Sequence, residues 1–241
     1  MACNPNPDLD LSTRRFMLPH INPEGWKFAI AAFFIGWVVP ALPAVLSGHP
    51  LALAYVSWFP FALAYAVALF FRDPERVDPS DERALVSPAD GYVCLIQRKP
   101  IPEELREAGE AAGAERWRIS IFMSVLDIHV NRMPFTGEIL KKVHVPGRFL
   151  NASVDEASDR NERELYRVRS AAGDYAFVQI AGLVARRIVP FVETGAKLVR
   201  GERFGLIRFG SRLDVYLPEG VEPMVKIGQR MLAGESILAR V

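Results

Sequence analysis

Cysteine is nearly absent from this chain of 241 residues: only Cys3 and Cys94 occur, one in a polar terminus and one in a strand-like run. Two such residues build neither a disulfide framework nor a paired-thiol metal motif, and a reducing compartment fits. An excess of either charge is also missing, with 29 Lys and Arg against 28 Asp and Glu. Without a basic field, nucleic acid is excluded as a partner class, and no global potential steers an acidic one. Histidine is scarce, with four residues. No two of them share a ligand spacing on one element, which makes a metal-dependent lipid hydrolase using His129, His144 and Asp90 the weakest enzymatic reading, and no metal is assigned. Apolar residues are plentiful, at 50% of the chain. That suffices for one large domain, or a medium one plus an anchor.

The apolar residues are concentrated. Residues 28–46 (FAIAAFFIGWVVPALPAVL) and 51–71 (LALAYVSWFPFALAYAVALFF) carry no charge, and each is near the roughly 20 residues that cross a bilayer. Arg14, Arg15 and Lys27 precede the pair and Arg72 and Arg76 follow it, while the intervening Ser47-Gly48-His49-Pro50 has no Lys or Arg. The positive-inside rule then predicts an α-helical membrane hairpin with both ends in the cytoplasm, in a cell (inner) membrane. A cleaved signal peptide is not expected, because the first apolar run starts late and a second follows at once. Pro40, Pro43 and Pro60 would kink spanning helices, so a shallow re-entrant hairpin or a buried helical pair stays open. Any such anchor makes lipid a natural substrate class.

After Phe71 the composition turns polar and proline-rich (RDPERVDPSDERALVSPADGYV), a linker ending in a strand at 91–97. The expected division is 1–71 for the amino-terminal segment and two-helix anchor, and 72–241 for a catalytic domain. Residues 102–113 (PEELREAGEAAG) suit a short charged helix or a solvated insertion. From 117 onward, short β-branched or alternating runs recur between Gly, Pro and Asn signals, among them WRISIFMSV, GEILKKVHV, YAFVQIAG and LDVYLP. The pattern predicts a mainly β domain, a β-sandwich or barrel.

Near the carboxyl end, GAKLVRGERFGLI (195–207) matches GQRMLAGESILAR (228–240) in its two Gly and one Glu positions, at an offset of 33 residues. This resembles the hairpin turns of lipoyl and biotinyl carrier domains. A membrane-tethered lipoyl- or biotinyl-like carrier or adaptor, with Lys226 at a hairpin tip, is therefore the alternative to an enzyme. The residues flanking Lys226 lack the usual arrangement for a carrier lysine, and a solvated turn is the plainer reading.

The segment 203–218 (RFGLIRFGSRLDVYLP) places Gly210-Ser211 between two strand-like runs, where a turn is expected. Glycine before serine permits positive φ and leaves its carbonyl open to the neighbouring hydroxyl, although the dipeptide alone is an ordinary turn. Asp90 in SPADG suits an Asx turn before Gly91. Asp127 and His129 stand two residues apart, which on a strand puts both on one face. Arg132 and Arg148 carry guanidinium groups that match a carboxylate or phosphate, and surface placement suits them equally.

In chain order, FFRDPER (70–76), SPADG (87–91), DIHVNRMPFTGEI (127–139), HVPGRFLNA (144–152), RNERE (160–164) and RFGSRLDVYLP (208–218) resemble the short form of the phosphatidylserine decarboxylases. The resemblance runs from residue 70 to the end, and the two apolar segments match that family's membrane anchor. It implies a proenzyme that cuts itself between Gly210 and Ser211 into a β chain (1–210) and an α chain (211–241) that remain together as a heterodimer. It leaves homo-oligomerisation open.

On that resemblance the Ser211 hydroxyl attacks the Gly210 carbonyl, an ester forms by an N-to-O acyl shift, and β-elimination followed by loss of ammonia leaves a pyruvoyl group. The pyruvoyl ketone condenses with the amine of phosphatidylserine as a Schiff base, acts as electron sink while carbon dioxide leaves, and releases phosphatidylethanolamine. No pyridoxal phosphate is needed. His129 and Asp90 are the candidate proton carriers, with Asp127 beside them. Longer bacterial members have a second histidine three positions beyond the first, where this chain has Arg132, so His129 inherits the role of base. His144, Arg148 and Arg132 are the candidates for substrate contact.

Overall fold

The computed structural model describes residues 20–46, 58–106, 115–149, 157–182, 187–208 and 210–241. The chain divides into two compact units, Met1–Pro74 and Glu75–Val241.

In the first unit, α1 (Pro23–Leu46) packs against α2 (Phe59–Phe70). Helix α2 starts with Pro60 in its first turn, where the missing N–H costs nothing. Phe28 stacks on Phe71 at 5.4 Å and Phe33 meets Phe61 edge-on at 5.1 Å. A side chain at Gly36 would come within 2.6 Å of the Pro60 backbone. Later positions of α1 thus meet earlier ones of the second segment, so the helices run antiparallel. Ile30, Phe34, Ile35, Val38, Phe59 and Phe61 are exposed, more apolar surface than a water-soluble helix pair normally leaves outside one buried stripe. Among the described residues, no helix is long and apolar enough to cross a membrane. Helix α2, at 12 residues, rises about 18 Å against a hydrocarbon core of about 30 Å. The expected hairpin is thus described as an antiparallel helix pair, with 47–57 outside the described residues.

The second unit is mainly β, as expected. Its strands are β1 (Ala84–Val86), β2 (Gly91–Pro100), β3 (Glu115–Met123), β4 (Val130–Arg132), β5 (Gly137–Val145), β6 (Arg163–Arg169) and β7 (Tyr175–Ala181), followed by β8 (Arg187–Pro190), β9 (Lys197–Leu198), β10 (Arg203–Arg208), β11 (Ser211–Tyr216), β12 (Arg230–Met231) and β13 (Ile237–Arg240). A single-turn helix, α3 (Ala157–Arg160), precedes β6. The charged stretch after Pro100 forms only a 3-10 turn at Glu103–Leu105, and 107–114 lie outside the described residues.

An eight-stranded antiparallel sheet runs β12-β2-β3-β11-β7-β6-β5-β9, beside a three-stranded sheet β4-β10-β8 and the pair β1-β13. One core joins all three: Ile121, Met123, Phe177 and Leu213 from the large sheet, Phe204 and Ile207 from β10, and Leu85 and Leu238 from the small pair. Tyr166, Phe177 and Phe204 form its aromatic centre, with centroids 4.5–5.5 Å apart. Burial of this face supplies the main drive for folding.

Strand β11 is buried at every position. Leu213 and Val215 enter that core, while Tyr216 joins a second cluster with Ile101, Leu105, Leu165 and Val178 on the opposite face. The Gly-Gly repeat is visible in the backbone. Gly195, Gly201, Gly228 and Gly234 all have positive φ (88°, 81°, 84° and 76°), and each copy holds a two-residue strand followed by a longer one.

Candidate active site

Strand β10 pairs with β4 and β8, whereas β11 pairs with β3 and β7. The expected turn at Gly210-Ser211 is thus a crossing between sheets, not a hairpin. Gly210 has φ +64°, and a β-carbon added there would meet nothing within 4 Å. Glycine is favoured here by backbone conformation and not by lack of room. Ser211 opens β11, opposite Met123 of β3 and Ala181 of β7, and is fully buried. Its hydroxyl points at the Met123 sulfur, with Oγ 3.9 Å from Sδ.

His129 lies just before β4 and is also fully buried. Its Nδ1 is 2.9 Å from the Asp127 carbonyl, which can only accept, so Nδ1 carries the hydrogen. Nε2 then has a lone pair, and it accepts the Gly210 N–H at 3.1 Å. The neutral tautomer is fixed from one side, and the basic nitrogen is aimed at the residue that precedes Ser211.

Asp127 is brought beside His129, but through its backbone. Instead of sharing a strand face with His129, it closes a turn, and its carboxylate accepts the Ser124 N–H and hydroxyl, both at 2.8 Å. Arg230 caps the other carboxylate oxygen at 2.5 Å and lies 4.7 Å over the Tyr92 ring. The acid therefore braces the loop whose carbonyl orients the imidazole.

Asp90, also buried, belongs to a second cluster. Both of its oxygens lie 2.9 Å from Arg76 Nη2, and Oδ1 accepts the Ala233 N–H at 2.8 Å. Arg132 sits in the same region, with its Nη1 donating to the Gly201 carbonyl at 3.0 Å and its Cδ near Gly234. His144 pairs with Glu164 at 2.8 Å on β5. That is three strands from β11, about 14 Å at ordinary strand spacing. Arg148 is exposed and bridges Asn161 by its backbone. The structure thus groups His129, Asp127, Gly210 and Ser211, and places Asp90 with Arg132, and His144 and Arg148, elsewhere.

Two groups went unseen in the sequence. Asn131 donates to Met123 Sδ at 3.6 Å and accepts from Gln179 Nε2 at 2.8 Å, and Gln179 Oε1 accepts from Tyr166 at 3.0 Å. All are fully buried, so a polar chain reaches the sulfur that faces Ser211. Burial pushes the Tyr166 phenol far above its usual range, with Glu164 adding to the effect, and keeps it a neutral donor. No sequence pattern marked Asn131, Gln179 and Tyr166 as partners. Behind β11, Asp214 accepts from Arg212 at 2.8 and 3.0 Å and from Ser158 at 2.9 Å, and Arg118 donates to Ser158 at 3.0 Å. The RLD spacing around an otherwise apolar strand was the only hint of this buried charge cluster.

Comparison with known proteins places relatives beside this chain. Residues 63–239 match a family model described as phosphatidylserine decarboxylase. A phosphatidylserine decarboxylase proenzyme of Novosphingobium aromaticivorans is 49% identical over 92% of this chain and 87% of its own length. The protein of the same name from Ruegeria pomeroyi is 49% identical over 95% of this chain and 99% of its own, and that from Zymomonas mobilis 46% identical over 94% and 89%.

Proposed function

This chain belongs to the phosphatidylserine decarboxylase family, and on that premise we propose that it converts phosphatidylserine to phosphatidylethanolamine and carbon dioxide with a pyruvoyl group made from its own Ser211. The observation that carries the reading is the approach of His129 Nε2 to the Gly210 amide, one residue from the hydroxyl that attacks. The alternative, a carrier holding its group on Lys226, has no support: Lys226 is a turn residue whose amide bonds the Gln229 side chain.

Processing begins when the Ser211 hydroxyl adds to the Gly210 carbonyl and His129 Nε2 takes the proton, giving it up to the departing Ser211 nitrogen. The amide becomes an ester. Removal of the Ser211 α-proton then expels the Gly210 carboxylate from Cβ, and water replaces the nitrogen, releasing ammonia. The site fits the resulting group, since a small uncharged ketone has no charge to desolvate in a fully buried position walled by Met123. Once formed, the pyruvoyl group supplies an electrophilic carbonyl that binds the substrate amine and accepts the electrons left by carbon dioxide. His129, held in one tautomer by Asp127, is the proton carrier for turnover as well. Asp90 holds Arg76 and the Ala233 amide, and serves by fixing the loop after β12.

On this reading cleavage yields chains 1–210 and 211–241; the exposed apolar side chains of the helix pair support attachment to a membrane, where the phospholipid substrate resides, and the flanking Arg and Lys residues support its cytoplasmic face. Denaturing electrophoresis and intact mass tests this. Wild-type protein resolves into two chains, the smaller with a blocked start, and produces phosphatidylethanolamine, whereas Ser211→Ala stays whole and inactive. An intact, fully active wild-type chain would falsify the proposal.

A further inference from the structure

The turn that braces His129 has an unusual outer side. Ser124 and Asp127 close it with three hydrogen bonds of 2.8–2.9 Å: the Asp127 N–H to the Ser124 carbonyl, and the Ser124 N–H and hydroxyl to the Asp127 carboxylate. Its two central residues are Val125, 50% exposed, and Leu126, 83% exposed. Turn centres normally carry Gly, Pro, Asn, Asp or Ser, which suit both the backbone and the solvent. Here a rigid, hydrogen-bonded turn holds two branched apolar side chains out into water.

The surroundings extend this feature. Tyr92, 46% exposed, is the second residue of β2 alongside, and Arg230 lies across its ring with its side chain 47% exposed. On the turn leading into β12, Ile227 is 64% exposed and Lys226 is exposed beside it. Strands β12, β2 and β3 are neighbours in the sheet, so both turns belong to one edge region. Its composition is apolar tips, an aromatic ring and two cations. Such a mixture suits the boundary between acyl chains and anionic headgroups, where aliphatic tips enter, tyrosine sits at headgroup depth and cations meet phosphate and carboxylate.

We propose that the Val125-Leu126 turn, flanked by Tyr92, Arg230 and Lys226, is a bilayer-docking tip of the catalytic unit that inserts into an anionic membrane and admits a lipid headgroup beside His129. This rests on the phospholipid decarboxylase reading and deepens it. The docking tip and the catalytic loop are one segment: Leu126 adjoins Asp127, whose carbonyl fixes the imidazole. Charge complementarity favours lipid over a protein partner, because the substrate itself makes the surface anionic and the apolar tip is flanked by Lys226 and by Arg230, which is paired with Asp127 but half exposed.

The test uses the full chain, reconstituted into phosphatidylserine-phosphatidylcholine vesicles. An environment-sensitive fluorophore on Leu126→Cys, in a Cys3→Ser, Cys94→Ser background, should be quenched by spin labels on the lipid chains and shielded from aqueous iodide. In parallel, Val125→Ser/Leu126→Ser should raise the apparent KM for bilayer phosphatidylserine about 10²-fold, the lower end of what two apolar side chains losing burial would give. Self-cleavage, and turnover of a short-chain phosphatidylserine that stays monomeric in water, should remain at the wild-type level. Open access to iodide without quenching by lipid overturns the proposal, as does an equal loss on both substrates. Shielding that appears only when cytosolic protein is added overturns it in favour of a protein partner. Failure of the wild type to decarboxylate either lipid refutes the underlying reaction instead, and the quenching result still reads the docking by itself.

Discussion

Replacing His129 separates two roles that its geometry combines. The ring's one lone pair, on Nε2, accepts the Gly210 N–H at 3.1 Å, next to the bond proposed to be cut. A hydrogen bond of this kind contributes about 1 kcal/mol net, roughly a fivefold change in rate if it only holds Gly210 in place. A proton carrier contributes about 10²–10⁴-fold. Gln at this position reaches the same amide with its side-chain oxygen but cannot take a proton at neutral pH, and Ala does neither. We therefore expect His129→Gln and His129→Ala both to slow self-cleavage by about 10²-fold or more, with Ala only several-fold worse than Gln. The assay is the decay of precursor after cell-free synthesis, followed by denaturing electrophoresis and intact mass. Processing of His129→Gln within about fivefold of wild type would refute proton transfer and leave His129 as a positioning residue.

Three further outcomes follow from the packing. Asp214→Ala strands the buried guanidinium groups of Arg212 and Arg118, so it should cost about 3–5 kcal/mol, read as a lower denaturation midpoint in the uncleaved Ser211→Ala background. After cleavage, residues 211–241 should stay bound through gel filtration and separate only in denaturant, because β11 pairs on both sides and β13 pairs with β1. The Asp81 carboxyl is held below its usual value, first by a hydrogen bond from Arg240 and next by the Arg83 N–H. Its depressed folded value means that its stabilising effect is present above the unfolded carboxylate range and fades as pH falls through the folded one. In Arg240→Ala, the Asp81 titration followed by NMR should move upward.

Much of the β unit was legible because its signal is local. GEILKKVHV coincides with β5, and the runs that start at 117 and 175 cover most of β3 and all of β7, since alternating or β-branched residues bounded by turn formers leave few other choices. What was hidden depends on which strands become neighbours. The turn at Gly210-Ser211 was visible, but its nature as a crossing between sheets was not, because β10 and β11 find their partners far away in sequence. Asp127 and His129 were rightly paired, yet for the wrong reason: the chain turns between them, and the link is a backbone carbonyl in place of a shared strand face. Asn131, Gln179 and Tyr166 carry no pattern at all, since three polar residues on three strands become one chain only when the core closes around them.

The position of Ser211 has its own logic. A residue that becomes a cofactor by breaking the chain loses its covalent hold on one side at the moment it is needed. A site on an edge strand or loop would then gain a free, mobile terminus. The terminus that the proposed cut would create, Ser211, is the first residue of a strand bonded to β3 and β7, at Met123 and Ala181, and locked behind by the Arg212–Asp214 pair. Each further residue of β11 to Tyr216 repeats the double pairing. A cut between Gly210 and Ser211 would free only the Gly210 side, whose backbone sits in the left-handed region with open space around it, while the Ser211 side would keep its register. Placing the scissile bond at the entry to a central strand lets the same structure serve precursor and product, which is what a self-made cofactor requires.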